Sequence, residues 1–576
     1  MKFRQSIIVG ALLALALVLI NFLPERTVTL PKRDMASIGA IKCTVAKFLL
    51  EDVDHTRQIA PLFDNLGNYT FEGYSGNAEA KPFFDQGVRL TFAFNHAEAH
   101  RSFLEASRLD AESAMAFWGQ AYALGPNIND QLPDQQRKEA AWEALQQALS
   151  LKGGASEMER DLISALEARY SDDWERDQEE LNANYLLAME AVREKYPNNA
   201  DVQTLYAAAA MNTMPWNYWD LDGNPSPNTP AAKKALEQAI SLNPEHPGAH
   251  HYYIHMVELP YPDTGVPSAD ALGSLMPGAG HLVHMPSHIY IRVGRYQDAV
   301  AANQQAILAD EDYISQCYSQ GLYPLGYYPH NIHFLWSASS MIGQSQIAID
   351  AAKKTAEKVP KGEMVELPFL QDFAATPLLA YVRFGRWNDI LTYPAPDSEI
   401  VHLHLIRHYA RGLAFIRKNN ADEAREELEA IRVILEDPGS AELMAASQNT
   451  TDKIAEVAYE VVAGELAQLE GKHEMARNHL TNAVAAEEAL TYTEPSAWHI
   501  PPRQNLGAIL MAQGDFEAAE KTYRADLERV RQNGWSLYGL YQSLKAQGKN
   551  GEAAAALAAY EAIWKDADVQ LENSVF

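Results

Sequence analysis

One local pattern recurs along this 576-residue chain every 34 or so positions, and it limits the fold more than anything else in the sequence. A helix-forming segment with small residues is followed by a glycine turn and a second helix-forming segment with alanines at close-packing positions. PFFDQGVRLTFAFNHAEAHRSFLEASRLDAES places Gly87, Ala99, Phe103 and Ala106 in this way. GHLVHMPSHIYIRVGRYQDAVAANQQAILADE does so with Tyr290, Gly294, Tyr296, Ala299 and Ala306. RQNLGAILMAQGDFEAAEKTYRADLE repeats it with Gly507, Leu510, Gly514, Phe516 and Ala519. Small residues let paired helices approach, and the glycine makes the turn between them. A chain of this length exceeds a single core of about 250–300 residues, and the repeat resolves that excess into an array.

The G-x-Y-x-x-A turn sets units beginning near 80, 112, 198, 247, 280, 329, 371, 405, 457, 500 and 534. Residues 152–197 read as helical but fit the spacing poorly. Strand signals are few, so the expected fold class is all-α. Three irregular segments interrupt the pattern: GPNINDQLP after Tyr122, MPWNYWDLDGNPSPNTP from Met214 to Pro230, and QGLYPLGYYPH ahead of His330. Ordered loops on a stack of helix pairs often fold over a binding surface.

Ahead of the repeats, Lys2 and Arg4 precede an apolar run from Ile7 to Leu23, the layout of an export signal. No small-x-small cleavage site follows before Pro24. The expectation is an uncleaved anchor or a cleaved signal, with the chain exported: periplasmic, membrane-anchored or secreted. The two cysteines, Cys43 and Cys317, form either one disulfide in an oxidising compartment or two free thiols. The formal charge of −29 is spread without a basic block, which argues against nucleic acid and against an anionic membrane surface. Membrane contact is expected only through the N-terminal segment. The expected organisation is 1–30 signal or anchor, 31–79 linker, 80–246 repeats with inserted loops, 247–360 a central histidine-rich block and 361–576 further repeats.

The repeat units resemble the tetratricopeptide repeat (TPR), over most of residues 80–565. The phrases AFNHAEAHRSFLEASRLDAESAMAFWGQAYALGPNIN and GAGHLVHMPSHIYIRVGRYQDA are similar, more narrowly, to an exported bacterial TPR-protein family of unassigned biochemical role. The resemblance implies a right-handed TPR-type α-solenoid. It also implies that the first helix of each unit lines a concave groove through its second, fifth, ninth, twelfth and thirteenth positions. In the unit starting at Pro247 the first three of these are Gly248, His251 and His255. At Gly280 they are His281, His284 and His288, and at Pro329 they are His330, His333 and Ser337. Seven of these nine slots hold histidine, where composition alone supplies about 0.3.

Histidines at i, i+3 and i, i+4 share one face of a helix, and side chains from helices packed roughly 8–10 Å apart reach a common ion. His251, His255, His281, His284, His288, His330 and His333 are therefore the candidate ligands of a transition metal, copper or zinc. Seven imidazoles exceed one tetrahedral shell, so the set suits two ions, or one ion with supporting histidines. Pro286 interrupts the middle segment and places His281 and His284 in an entering turn. Asp372, in the second groove slot of the next unit, is the candidate base or orienting carboxylate, with Glu258 and Glu366 weaker. His96 and His473 fall at the start of a second helix, a packing position, and His100, His402, His404, His408, His479 and His499 miss the groove slots; the His96/His100 pair is the best placed of these, with Asn95 and the GPN loop expected near it. HExxH, G-x-S-x-G, P-loop and dinucleotide-binding patterns are absent from the sequence. Three readings follow: a metal-dependent enzyme using copper or zinc on a small molecule, a metal-binding protein without catalysis, and a metal-free scaffold gripping a peptide or protein partner in its groove.

Overall fold

The computed structural model describes residues 56–220, 222–316 and 323–576. The expected export segment, Cys43 and Cys317 lie outside the described residues. What is described belongs to one compact unit, Cys43–Phe576. It is built from helix hairpins in succession, from Lys81–Phe92 with His96–Leu109 to Gly534–Ala546 with Asn550–Ile563. Among the described residues there is no extended strand, only three isolated bridges. No helix among them is long and apolar enough to cross a membrane.

The recurring small residues act where the pattern places them. The Phe103 ring fills a notch between Gly87 and Gly119, where an added Cβ would stand 2.6 and 2.3 Å from it. Tyr523 does the same between Gly507 and Gly539, at 2.5 and 2.3 Å. One aromatic from a second helix thus keys into the first helices of its own hairpin and the next. Gly294 ends its helix in the left-handed region, φ +81°, and donates back to Tyr290 across the turn.

Two departures from the 34-residue ruler have local causes. Residues 152–197, which fit poorly, are a hairpin of Glu157–Glu167 and Gln178–Lys195, opened by a Ser156–Glu159 capping box. The units expected near 405 and 457 begin earlier, at Val401 and Thr451, because their first helices are longer than the ruler assumes, 17 and 19 residues. Pro286 breaks the middle histidine segment as expected, into Gly280–His284 and Pro286–Val293.

The last hairpins return onto the central ones. Arg531 pairs with Asp263 at 2.9 Å, and its carbonyl accepts from Tyr296. Trp535 is fully buried and donates to the Ser340 carbonyl at 2.9 Å. Asp568 accepts from the backbone of Ser345 and Gln346 at 2.7 and 2.9 Å, capping the helix Ser345–Glu357. At the other end, Asn65 accepts from Gly278 N at 2.8 Å. The central block is therefore wrapped from both sides.

Candidate metal centre

Six of the seven groove histidines converge in two sets of three. His251, His255 and His281 each offer a nitrogen within 4.8 Å of the others, and His284, His288 and His330 do the same. The helix Pro247–Val257 carries the first pair, the broken pair of helices carries the middle three, and Tyr328–Met341 carries His330. The ring centroids of His255 and His288 lie 5.6 Å apart, so the two sets adjoin.

Three of the outward nitrogens are committed. His251 Nδ1 stands 2.6 Å from the Phe92 carbonyl, one of the acceptors left over at the end of the helix Lys81–Phe92. A carbonyl only accepts, so the proton of His251 is on Nδ1 and Nε2 presents a lone pair. His284 Nδ1 faces Asn303 Oδ1 at 2.7 Å. That amide is fixed because its nitrogen donates to Ser287 Oγ and the Ala299 carbonyl. His288 Nδ1 lies 2.6 Å from Glu494 Oε2. Inside the cluster, His284 Nε2 and His288 Nε2 stand 2.9 Å apart, and His251 Nε2 and His281 Nε2 stand 3.2 Å apart. Two lone pairs at 2.9 Å repel. Either His288 carries its proton on Nε2 and donates to His284, with Glu494 in its acid form donating to His288 Nδ1, or a metal ion is held by both nitrogens.

The donor set fits a metal. Nitrogens bound at about 2.0–2.1 Å to one ion stand roughly 2.8–3.4 Å from each other, for square-planar to tetrahedral angles. Both observed separations fall in that range. His255 has neither ring nitrogen hydrogen-bonded, and His281 Nδ1 is likewise buried without a partner. Burial pushes every imidazole of the cluster towards its neutral, ligating form: His251 to about 3, His284 to about 4, and His255, His281, His288 and His330 well below their ordinary value.

Two carboxylates back the cluster. Glu258 Oε2 lies 3.4 Å from both His255 Nδ1 and His288 Nδ1, without hydrogen-bond alignment. Glu494 adds Tyr492 as a donor, with Arg292 at 4.0 Å. Burial raises both acids, Glu494 to about 8 and Glu258 well above its ordinary value, where the facing Glu494 adds to the effect. Such carboxylate–imidazole pairs orient ligand rings in metal sites.

Two residues named from the sequence stand elsewhere. His333 packs between Trp336 and Phe373, ring centroids 4.7 and 5.3 Å away, outside both sets. Asp372 does not reach the cluster; its carboxylate lies 3.7 Å from His402 Nε2. Its place is taken by Glu258 and by Glu494, which spacing could not find because it is 206 residues from His288. The dismissed His402 proves fully buried beside Asp372. His96 is buried with both nitrogens unpartnered, stacked on Phe94.

The irregular segments meet over the cluster. A cavity of about 330 Å³ is lined by His255, His281, His288 and His330 with Asn129, Trp216 and Tyr327 from the three segments noted in the sequence. Two further loops, at Ser447–Gln448 and Tyr492–Glu494, complete it. Three of these loops are pinned by the isolated bridges Asn127–Asp130, Trp219–Pro225 and Ala446–Asn449. Phe94, Trp216 and Ser447 hold φ of +56°, +60° and +54°, a region that side chains other than glycine enter only under constraint.

No family model matches the chain, and no curated protein matches it. Among solved structures, the human IFIT1 dimer with m7Gppp-AAAA aligns at 14% identity over 79% of this chain and 90% of that one, TM-score 0.32. Yeast Tom70 aligns at 12% identity over 84% and 92%, TM-score 0.29. The P58(IPK) TPR domain aligns at 11% identity over 82% and 99%, TM-score 0.20. Likenesses of this size carry nothing about ligand or chemistry. The succession of close-packed hairpins identifies the architecture: this is an all-α, TPR-type solenoid.

Proposed function

We propose that this protein is a metal-dependent protein whose central cluster binds two transition-metal ions, one at His251, His255 and His281 and one at His284, His288 and His330. The observation that carries the reading is the pair of facing Nε2 atoms, 2.9 Å apart, in rings whose Nδ1 atoms are already engaged. The all-imidazole shell favours copper over paired zinc. Glu258 and Glu494 approach His288 from its Nδ1 side rather than standing among the inward nitrogens as bridging ligands. The export segment expected at the N-terminus would put the site in an oxidising compartment, which suits the same ion. Copper bound there supplies redox chemistry, and zinc would supply activation of water.

The test is elemental analysis of the full-length, untagged protein after incubation with copper(II) or zinc(II) and removal of excess. Two equivalents are expected. His251→Ala and His284→Ala should each lose one, with the helical circular-dichroism spectrum retained, and His402→Ala should lose none. A wild-type protein that takes up neither ion sinks the reading and leaves the scaffold, a solenoid gripping a peptide or protein partner.

A further inference from the structure

Close-packed interiors leave few voids larger than one water, yet about 330 Å³ stands open against the imidazoles. Trp216, Tyr327, Phe369, Phe373 and Tyr492 wall it from four separate stretches of chain. Phe369 and Phe373 meet edge to face at 6.1 Å and form a corner. Trp216 stands edge-on to His255 at 5.0 Å, and Tyr327 tilts over His281 at 4.7 Å. Tyr327 accepts from Asn129 and keeps its own O–H to donate, while Tyr492 donates to Glu494; both present their rings as walls.

Charge narrows the ligand further. No lysine or arginine lines the cavity, so an anion would find no side-chain counter-charge. Glu494 is occupied by His288 and Tyr492, while Glu258 Oε2, 3.4 Å from His255 and His288, makes no hydrogen bond, so an ammonium probe reads whether it holds a cation. Besides the imidazoles, the two acids and the ring-bearing walls, the polar side chains of the lining are Asn129, Ser447, Gln448 and Thr493, whose hydroxyl donates to the Pro495 carbonyl. Cavities of roughly 150 Å³ hold benzene, and 330 Å³ accommodates one substituted ring.

We propose that the cavity binds a neutral hydroxylated aromatic, a phenol, with its ring between the aromatic walls and its hydroxyl towards the imidazole cluster. The direction of the hydroxyl rests on the metal reading; the aromatic fit rests on the walls alone. The site thereby selects for flatness and against charge.

The test uses full-length protein, with and without added copper(II), and four probes in ligand-observed NMR: 4-methylphenol, 4-methylbenzoate, benzyltrimethylammonium and cyclohexylmethanol. Expected in the protein without added copper is binding of 4-methylphenol at least tenfold tighter than each of the others. Trp216→Ala and Phe373→Ala should each weaken it at least tenfold, while exposed Leu187→Ala should leave it unchanged. Equal binding of all four, or preference for the ammonium or the carboxylate, overturns the proposal, and this arm needs no variant to fold. Metal uptake without phenol binding overturns it and leaves the metal reading standing. Phenol selectivity in a protein that takes up no metal upholds the aromatic site and removes the metal reading.

Discussion

At the scale of single residues the centre depends on which nitrogen carries a proton. Phe92, Asn303 and Glu494 each fix one Nδ1 and leave an Nε2 turned inward. Glu494→Gln keeps the size of the side chain and removes its ability to give up a proton to or take one from His288. Metal affinity should fall about 10–100-fold, read by competition with a chelator, with stoichiometry restored at high metal; unchanged affinity would mean that Glu494 plays no orienting part. A second prediction concerns acid. Burial lowers His96 and His100 to about 3 and His333 to about 4, from 6.5 when exposed. These groups are neutral in the folded chain while the unfolded chain takes up a proton below 6.5. Their stability contribution is complete above that pH and is lost as pH falls towards 3–4. At pH 5 each costs about 2 kcal/mol relative to pH 8. Melts of metal-free protein should show Tm falling from pH 7 to 5, and His100→Gln should flatten the slope; an equal slope in both proteins would refute the assignment.

At the scale of elements, the break at Pro286 and the glycine that opens the segment place three ligands on two short helices. A Cβ at Gly280 would meet Asp310 Oδ1 at 1.9 Å and the Ala306 carbonyl at 2.9 Å. Asp310 cannot easily yield, since it is buried and accepts from Tyr323 and Asn331, both at 2.7 Å. Gly280→Ala should therefore cost about 1–3 kcal/mol and displace His281, weakening the ion at His251, His255 and His281 more than its neighbour. Gly153→Ala, which meets nothing within 4 Å, is the control. Thermal melts and metal counts on the two variants decide it, and equal behaviour would remove the close-approach argument. The hairpins were legible because their period is local, and Gly87 and Phe103 meet as their spacing implies. His333 stands outside both sets because position along a first helix does not fix which way the helix is rolled against its neighbours. Its ring packs against Trp336 and Phe373.

At the scale of the whole molecule, the last hairpins return onto the central block, and the loop just before them carries Glu494 to His288. Trp535 anchors that return, fully buried and bonded to Ser340. Trp535→Ala should cost about 3–5 kcal/mol and lower hydrogen-exchange protection in Pro286–Val293 as well as in the last hairpins. Loss confined to residues beyond 500 would show that the wrap does not support the site.

The sequence by itself determined the helix pairs, their turns and the concentration of histidine in three successive units. Each of these rests on contacts between residues a few positions apart, where period and residue type suffice. Only the tertiary structure decided that six imidazoles divide into two sets, that Glu258 and Glu494 back them while Asp372 turns to His402, and that five loops enclose a cavity. Those outcomes depend on how successive hairpins rotate and on where the chain returns to itself. Both are summed over many packed interfaces, and no local spacing encodes them.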